Sequence, residues 1–286
     1  MKRILNYLKS SVVPFLAAYA IMLAVSFAFQ ILYQLIISVY IGRSQGVKVL
    51  LDGEKLAGQI NEMMSPNVLY LISVAAAVIC GVIFYFWYRH ETRGLQKGAL
   101  SSVFHSKTIL QFLLLGISCQ LFFSGIMNLL QPLLPKLFDS YGDTMEGLLG
   151  GNLLLVLLYT ILIAPVSEEL IFRGVILHRA GKVLPFIGAN LLQALFFGIY
   201  HGNIIQGIYA TAMGFLLGLI YRKYNTIIAS IFLHMIINAS IFVVMLFPLN
   251  TISYVAMFAL GVVGSAIALI LLKLWGDRRN TDIEVI

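Results

Sequence analysis

Residues 150–178 read GGNLLLVLLYTILIAPVSEELIFRGVILH. The run is apolar for longer than the about 20 residues a helix needs to cross the hydrocarbon core of a bilayer. Its charged interruptions are Glu168, Glu169 and Arg173. An ionisable side chain at such a depth is costly and therefore marks a functional site by default. Pro165 lies one turn before Glu168. It removes a backbone donor, and the expected kink opens room for water.

Outward from this stretch the chain repeats the same pattern. Further candidate spans cover 12–40, 67–88, 109–131, 184–201, 204–221, 225–247 and 252–275. Backbone groups without water must pair within a segment, so these runs predict helices. No strand-like alternation at barrel spacing is present. The expected fold is all-α: a polytopic membrane protein with a bundle of about eight transmembrane helices. Residues 1–286 are read as a single integral-membrane domain and 150–245 as its catalytic core. The region 42–65 reads as an outer loop able to form a short interfacial helix. The segment 132–148, with Asp139, Asp143 and Glu146, reads as another outer loop, and 276–286 as a loose polar tail.

Composition supports this class. The 286 residues are 60% hydrophobic and only 11% charged, with a mean hydropathy of +0.94. A soluble domain carries about 25% charged residues. The net charge of +7 does not point to nucleic acid, because the basic residues flank apolar runs. Fourteen of the 19 lysines and arginines fall in segments on one side of the eight-span map, four on the other, and Arg173 within a span. That asymmetry predicts a plasma-membrane protein with both termini cytoplasmic. Met1-Lys2-Arg3 and Ala18-Tyr19-Ala20 imitate a signal peptide, but the apolar run continues to about Ile41 and predicts an uncleaved first span. Cys80 and Cys119 fall inside spans and read as small core residues.

Polar residues in the late spans form the candidate site. Of twelve acids, only Glu168 and Glu169 lie within a span. Glu169 and Arg173 are four apart and share a helix face as a buried pair. Glu168 is rotated by about 100° and faces another partner. Phe197-Gly198-Ile199-Tyr200-His201 brings an imidazole from the next span. His234 and Asn238, again four apart, present to one cavity. An asparagine amide can donate to a developing oxyanion. Glu168, His201 and His234 make a two-histidine, one-carboxylate set, which suits a catalytic Zn2+ with an open position for water. Without a metal, Glu168 helped by His201 can activate water directly.

Glu-Glu-x-x-x-Arg, Phe-x-x-x-His and His-x-x-x-Asn, in that order on late spans, resemble the CAAX-protease and bacteriocin-processing family of intramembrane proteases. Type II prenyl endopeptidases and Abi proteins belong to it. The resemblance covers roughly 150–245. It implies an intramembrane endopeptidase in which Glu168 is the catalytic carboxylate and His201 its partner in activating water. It implies that His234 and Asn238 bind water, metal or the oxyanion, with Glu169, Arg173 and Phe197 as motif members of more structural role. The implied partners are the lipid bilayer and a peptide or protein substrate. Both a metalloprotease and a metal-free glutamate mechanism are compatible with the pattern.

Other readings belong beside this one. A scaffold or bacteriocin-immunity protein would retain the motifs without catalysis, and a proton- or cation-coupled transporter would use the same acids. Many transporters show inverted repeats, and none is visible here. His178 reads as a helix-end marker. His90-Glu91 lacks the second histidine of a zincin helix, since position 94 is Gly94. Gly214 and Gly218 read as a close helix contact.

Overall fold

The computed structural model describes residues 2–245 and 252–275. The described residues are overwhelmingly helical and contain no strand. The principal helices are α1 (Lys2–Gln45), α2 (Gly53–Met63), α3 (Pro66–Glu91), α4 (Ser106–Leu130), α5 (Pro135–Leu149), α6 (Leu153–Gly181), α7 (Phe186–Tyr200), α8 (Ile204–Tyr224), α9 (Ile227–Met245) and α10 (Tyr254–Trp275). Seven of the described helices are long and apolar enough to cross a membrane: α1, α3, α4, α6, α8, α9 and α10. The 276–286 tail and the end of the 225–247 span lie outside the described residues.

The expected fifth span is shorter than anticipated. Helix α7 has 15 residues, about 22 Å at 1.5 Å per residue, against a hydrocarbon core of about 30 Å. Pro185 fixes its start and Gly202, at a φ of +69°, turns the chain at its end. It packs antiparallel on α8 along nearly its whole length. Near the start, Asn190 Nδ2 donates to the Phe215 carbonyl at 3.0 Å. Near the end, Gly198 faces Gly207 and Thr211. Gly214 and Gly218 permit this approach: a Cβ on Gly214 would stand 3.2 Å from Ala194 Cα, and one on Gly218 would overlap the Asn190 amide. The glycine pair thus joins neighbouring helices within one chain.

Two segments expected as loops contain helices. In 42–65, a 3-10 turn at Val47–Leu51 precedes α2. Helix α2 returns along α1, with Gln59 bonded to Gln45 and the Tyr33 hydroxyl donating to the Met63 carbonyl. The segment 132–148 is mostly α5 rather than an extended loop. Pro135 occupies its first turn, where a missing N–H does no harm, and its apolar residues fall on one face.

The basic segments meet at one end of the bundle. Glu91 at the end of α3 accepts Arg179 Nη1 at 2.7 Å and Lys182 Nζ at 2.5 Å from the end of α6. Arg179 Nε also donates to the Ser10 carbonyl of α1. Gly98 N, after α3, donates to the Asn225 carbonyl after α8, and Lys223 Nζ donates to the Leu272 carbonyl of α10. The turn after α6 lies at this same end and occupies 182–185, so Phe186–Ala189 already lie in α7.

Helices α4 and α10 touch backbone to backbone. A Cβ on Gly125 would lie 2.5 Å from Phe258 N and 2.7 Å from Phe258 Cα. Real Cβ atoms do not approach this closely, and overpacking of this kind costs about 1–3 kcal/mol. Gly125→Ala is therefore expected to lower the melting temperature of the purified protein. Gly58→Ala, in open space on α2, should leave it unchanged or slightly raised. Thermal unfolding in detergent, followed by size-exclusion fluorescence, measures both.

Candidate active site

Helix α6 carries both carboxylates on an irregular backbone. It is π-helical at Leu158–Ile163 and again at Leu170–Leu177, with six α-helical residues between. Widened turns of this kind occur frequently at functional sites. The Ala164 N–H donates to the Tyr159 carbonyl, five residues back. In that register the next donor would be residue 165 and its acceptor Thr160. Residue 165 is proline and has no N–H. The Asn238 amide of α9 fills the vacancy, with Nδ2 donating to the Thr160 carbonyl at 2.8 Å. Asn238 was expected to serve the oxyanion; here one of its two amide hydrogens closes a backbone defect.

Glu169 and Arg173 form the expected pair, with Arg173 Nη1 2.8 Å from Glu169 Oε1 and both side chains fully buried. The same Oε1 accepts His234 Nδ1–H at 2.9 Å. Arg173 Nη2 donates to the Gly214 carbonyl at 3.1 Å, which also accepts Gln193 Nε2 at 2.9 Å. The guanidinium lies 4.6 Å from the centroid of the Phe197 ring. Helices α6, α7, α8 and α9 thus converge on one buried ion pair.

Phe197 is the hub for the histidines. Its ring meets that of His201 at 4.8 Å and that of His234 at 5.8 Å, both edge to face. His201 Nδ1–H donates to the Phe197 carbonyl at 2.8 Å. A carbonyl only accepts, so this bond fixes the proton on Nδ1 and leaves Nε2 for other work. His201 follows the last residue of α7, farther along than Phe197. Side chains lean toward their helix N-terminus. Since α6 and α7 run in opposite directions, the Glu168 and His201 side chains lean toward one another's level.

Glu168 differs from its neighbour. Its side chain is 14% exposed, against 0% for Glu169. Within 4.0 Å, its ionisable neighbour among the described residues is His234, whose Nε2 lies 3.8 Å from Oε2. That separation is too long for a direct hydrogen bond. Ser167 beside it touches α3, where a Cβ on Gly81 would sit 3.2 Å from Ser167 Cβ.

The expected three-ligand Zn2+ set does not assemble. Among the described residues no three His, Cys, Asp or Glu side chains are grouped to hold a metal. His234 Nδ1 and His201 Nδ1 are engaged, which leaves both Nε2 atoms open, and His234 Nε2 stands 3.8 Å from Glu168 Oε2. With no third ligand grouped beside them among the described residues, these side chains as arranged do not hold the ion.

Sequence reasoning did not single out Asn190, Gln193, Thr160 or Tyr200. The first two are polar residues in the apolar run 184–201, fully buried, and that contrast was their signal. The role of Thr160 is a carbonyl, invisible in a side-chain pattern. His178 is buried near the end of α6, with Nδ1 3.3 Å from the Tyr221 hydroxyl.

Comparison with known proteins finds similarity over the same stretch of chain. Residues 150–240 match the family model for type II CAAX prenyl endopeptidase Rce1-like proteins, a stretch that includes all three motifs. The Bacillus subtilis (strain 168) protein named “Putative membrane peptidase YdiL” is 30% identical over 96 residues, 34% of this chain and 39% of the relative. The chain therefore aligns with well under half of that relative's length. No solved structure matches.

Removing one member of the buried pair should leave the other uncompensated, at a cost of about 3–5 kcal/mol. Arg173→Ala is expected to abolish accumulation of folded protein. The Glu169→Gln/Arg173→Met double variant should recover part of it. Yield of the monodisperse detergent-solubilised species reads the difference.

Proposed function

Because residues 150–240 carry the sequence pattern of the type II CAAX prenyl endopeptidase Rce1-like family, we propose that this chain is an intramembrane endopeptidase that hydrolyses peptide bonds of membrane-associated peptides or proteins. The observation that carries the reading is the unequal state of two adjacent carboxylates. Glu169 is dry and bonded to both Arg173 and His234, whereas Glu168 is part-exposed and lacks a direct hydrogen bond among the described residues. A structural pair explains the first. A base for water explains the second.

The reaction follows from that division. A water between Glu168 and the histidines gives a proton to the Glu168 carboxylate while its oxygen bonds to the substrate carbonyl carbon. The carbonyl π pair moves to oxygen as the oxyanion. Collapse re-forms the C=O bond and breaks the C–N bond, and the proton held by Glu168 passes to the leaving nitrogen. The products are a carboxylic acid and an amine. His201, its Nδ1–H held by Phe197, turns Nε2 toward the water. His234, its Nδ1 held by Glu169, turns Nε2 toward the same space. The charge bias of the flanking segments supports a cytoplasmic reading of the basic end of the bundle.

Glu168→Gln keeps shape and removes the base. Hydrolysis of an internally quenched peptide library by proteoliposomes should fall by about 10²–10⁴-fold, with folding unchanged. Retained hydrolysis would rule out the assignment. Dialysis against EDTA should leave the wild-type rate unchanged, since every step is assigned to side chains; loss restored by Zn2+ alone would overturn that mechanism.

A further inference from the structure

Helix α1 lies outside the stretch 150–240, yet a hydrogen bond ties it to the candidate site. The Tyr19 hydroxyl donates to the Ile199 carbonyl of α7 at 2.9 Å, across 180 positions of sequence. The Tyr19 ring meets Tyr200 edge to face at 5.3 Å. Phe15, one turn earlier on α1, stacks on Phe196 at 4.4 Å. Four residues apart, Phe15 and Tyr19 share a helix face. That face grips the last turn of α7, and His201 follows directly.

The chain closes α7 in a tight turn. The His201 N–H reaches back three residues to the Gly198 carbonyl at 3.2 Å, and the Gly202 N–H reaches back three to Ile199 at 3.1 Å. In α-helical register the His201 N–H would take the Phe197 carbonyl, four residues back. The tight turn leaves that oxygen to the His201 side chain, whose Nδ1–H donates to it at 2.8 Å. A carbonyl can accept two hydrogens, and Ile199 takes both the Gly202 N–H and the Tyr19 hydroxyl. Tyr19 thus holds the oxygen on which the turn closes. Nearer the basic end, the Ser10 carbonyl of α1 accepts Arg179 Nε of α6. Helix α1 is thereby bonded both to the helix of Glu168 and to the helix that delivers His201.

We propose that Tyr19 is a positioning residue that acts through His201: its hydroxyl straps the last turn of α7, and the strapped turn keeps the imidazole proton on Nδ1 and Nε2 open. The catalytic meaning of the strap rests on the hydrolase reading above. Tyr19 gives up no proton in the cycle. Without its hydroxyl the turn relaxes toward α-helical register, and the His201 N–H recovers the Phe197 carbonyl. The imidazole is then free to carry its proton on either nitrogen.

Tyr19→Phe removes the hydroxyl and keeps the ring contacts. Tyr33→Phe is the control: that hydroxyl also runs from α1 to a carbonyl, Met63 at 2.7 Å, but away from α7. Wild type, Glu168→Gln and both tyrosine variants are labelled with 15N-histidine and compared in phosphatidylethanolamine/phosphatidylglycerol liposomes with the same quenched peptide library. Tyr19→Phe should lower kcat by about 2- to 10-fold, the weight of one hydrogen bond, with KM and melting temperature unchanged. Its His201 15N spectrum should gain the Nε2–H form. Tyr33→Phe should match wild type in rate and spectrum. An unmoved His201 spectrum in Tyr19→Phe overturns the proposal, whatever the rate does. An equal loss in Tyr33→Phe, or a loss of rate matched by a fall in melting temperature, overturns it too. Absence of cleavage by wild type, or cleavage by Glu168→Gln, removes the hydrolase reading, and the His201 spectra still support or overturn the strap. If Tyr19→Phe does not fold, the wild-type protein gives the answer. Proton-detected NMR should correlate the Tyr19 hydroxyl proton with a 13C-labelled Ile199 carbonyl, and a missing correlation overturns the strap.

Discussion

One carboxylate oxygen, Oε1 of Glu169, organises the membrane-embedded core. It accepts from Arg173 on its own helix and from His234 on α9. Through Arg173 the same charge reaches the Gly214 carbonyl of α8 and the face of Phe197 on α7. Four helices are thereby registered on a single ion pair from which water is excluded. A buried pair of this kind contributes little net stability, because desolvation offsets attraction. Its value lies in fixing which way each partner points. His234 has one orientation that satisfies Glu169, and that orientation aims Nε2 at Glu168.

Phe197 performs the matching task for the apolar side of the site. The guanidinium and both imidazoles touch its ring, and its carbonyl sets the proton of His201. Aromatic edges and faces carry opposite partial charge, so such contacts are directional as well as apolar. The phenylalanine of the Phe-x-x-x-His motif is thus a mould for two histidines. A leucine of similar volume would fill the space without that directional preference.

Much of this was legible in the chain. Long apolar runs located the helices within a few residues, since α3, α6, α8 and α10 follow the expected spans closely. Spacing of four gave the Glu169–Arg173 pair directly. The expected span 184–201 exceeded α7 by Leu184 and Pro185 at its start and His201 at its end. The sequence could not show that Glu169 and His234, 65 residues apart, share a bond. The metal set was nominated by residue type, whereas the grouping of its three side chains is a matter of three dimensions.

The proline that interrupts α6 also decides what Asn238 does. Thr160 is left with an oxygen seeking a hydrogen, and an amide from a helix 78 positions later supplies it. Any other residue at 165 would bring its own N–H and compete for that oxygen. The oxygen can accept two hydrogens, so Asn238 would then share it and the tether between α6 and α9 would weaken. The imino acid and the amide thus form a two-part joint, and a lineage that changed one half would come under pressure to change the other.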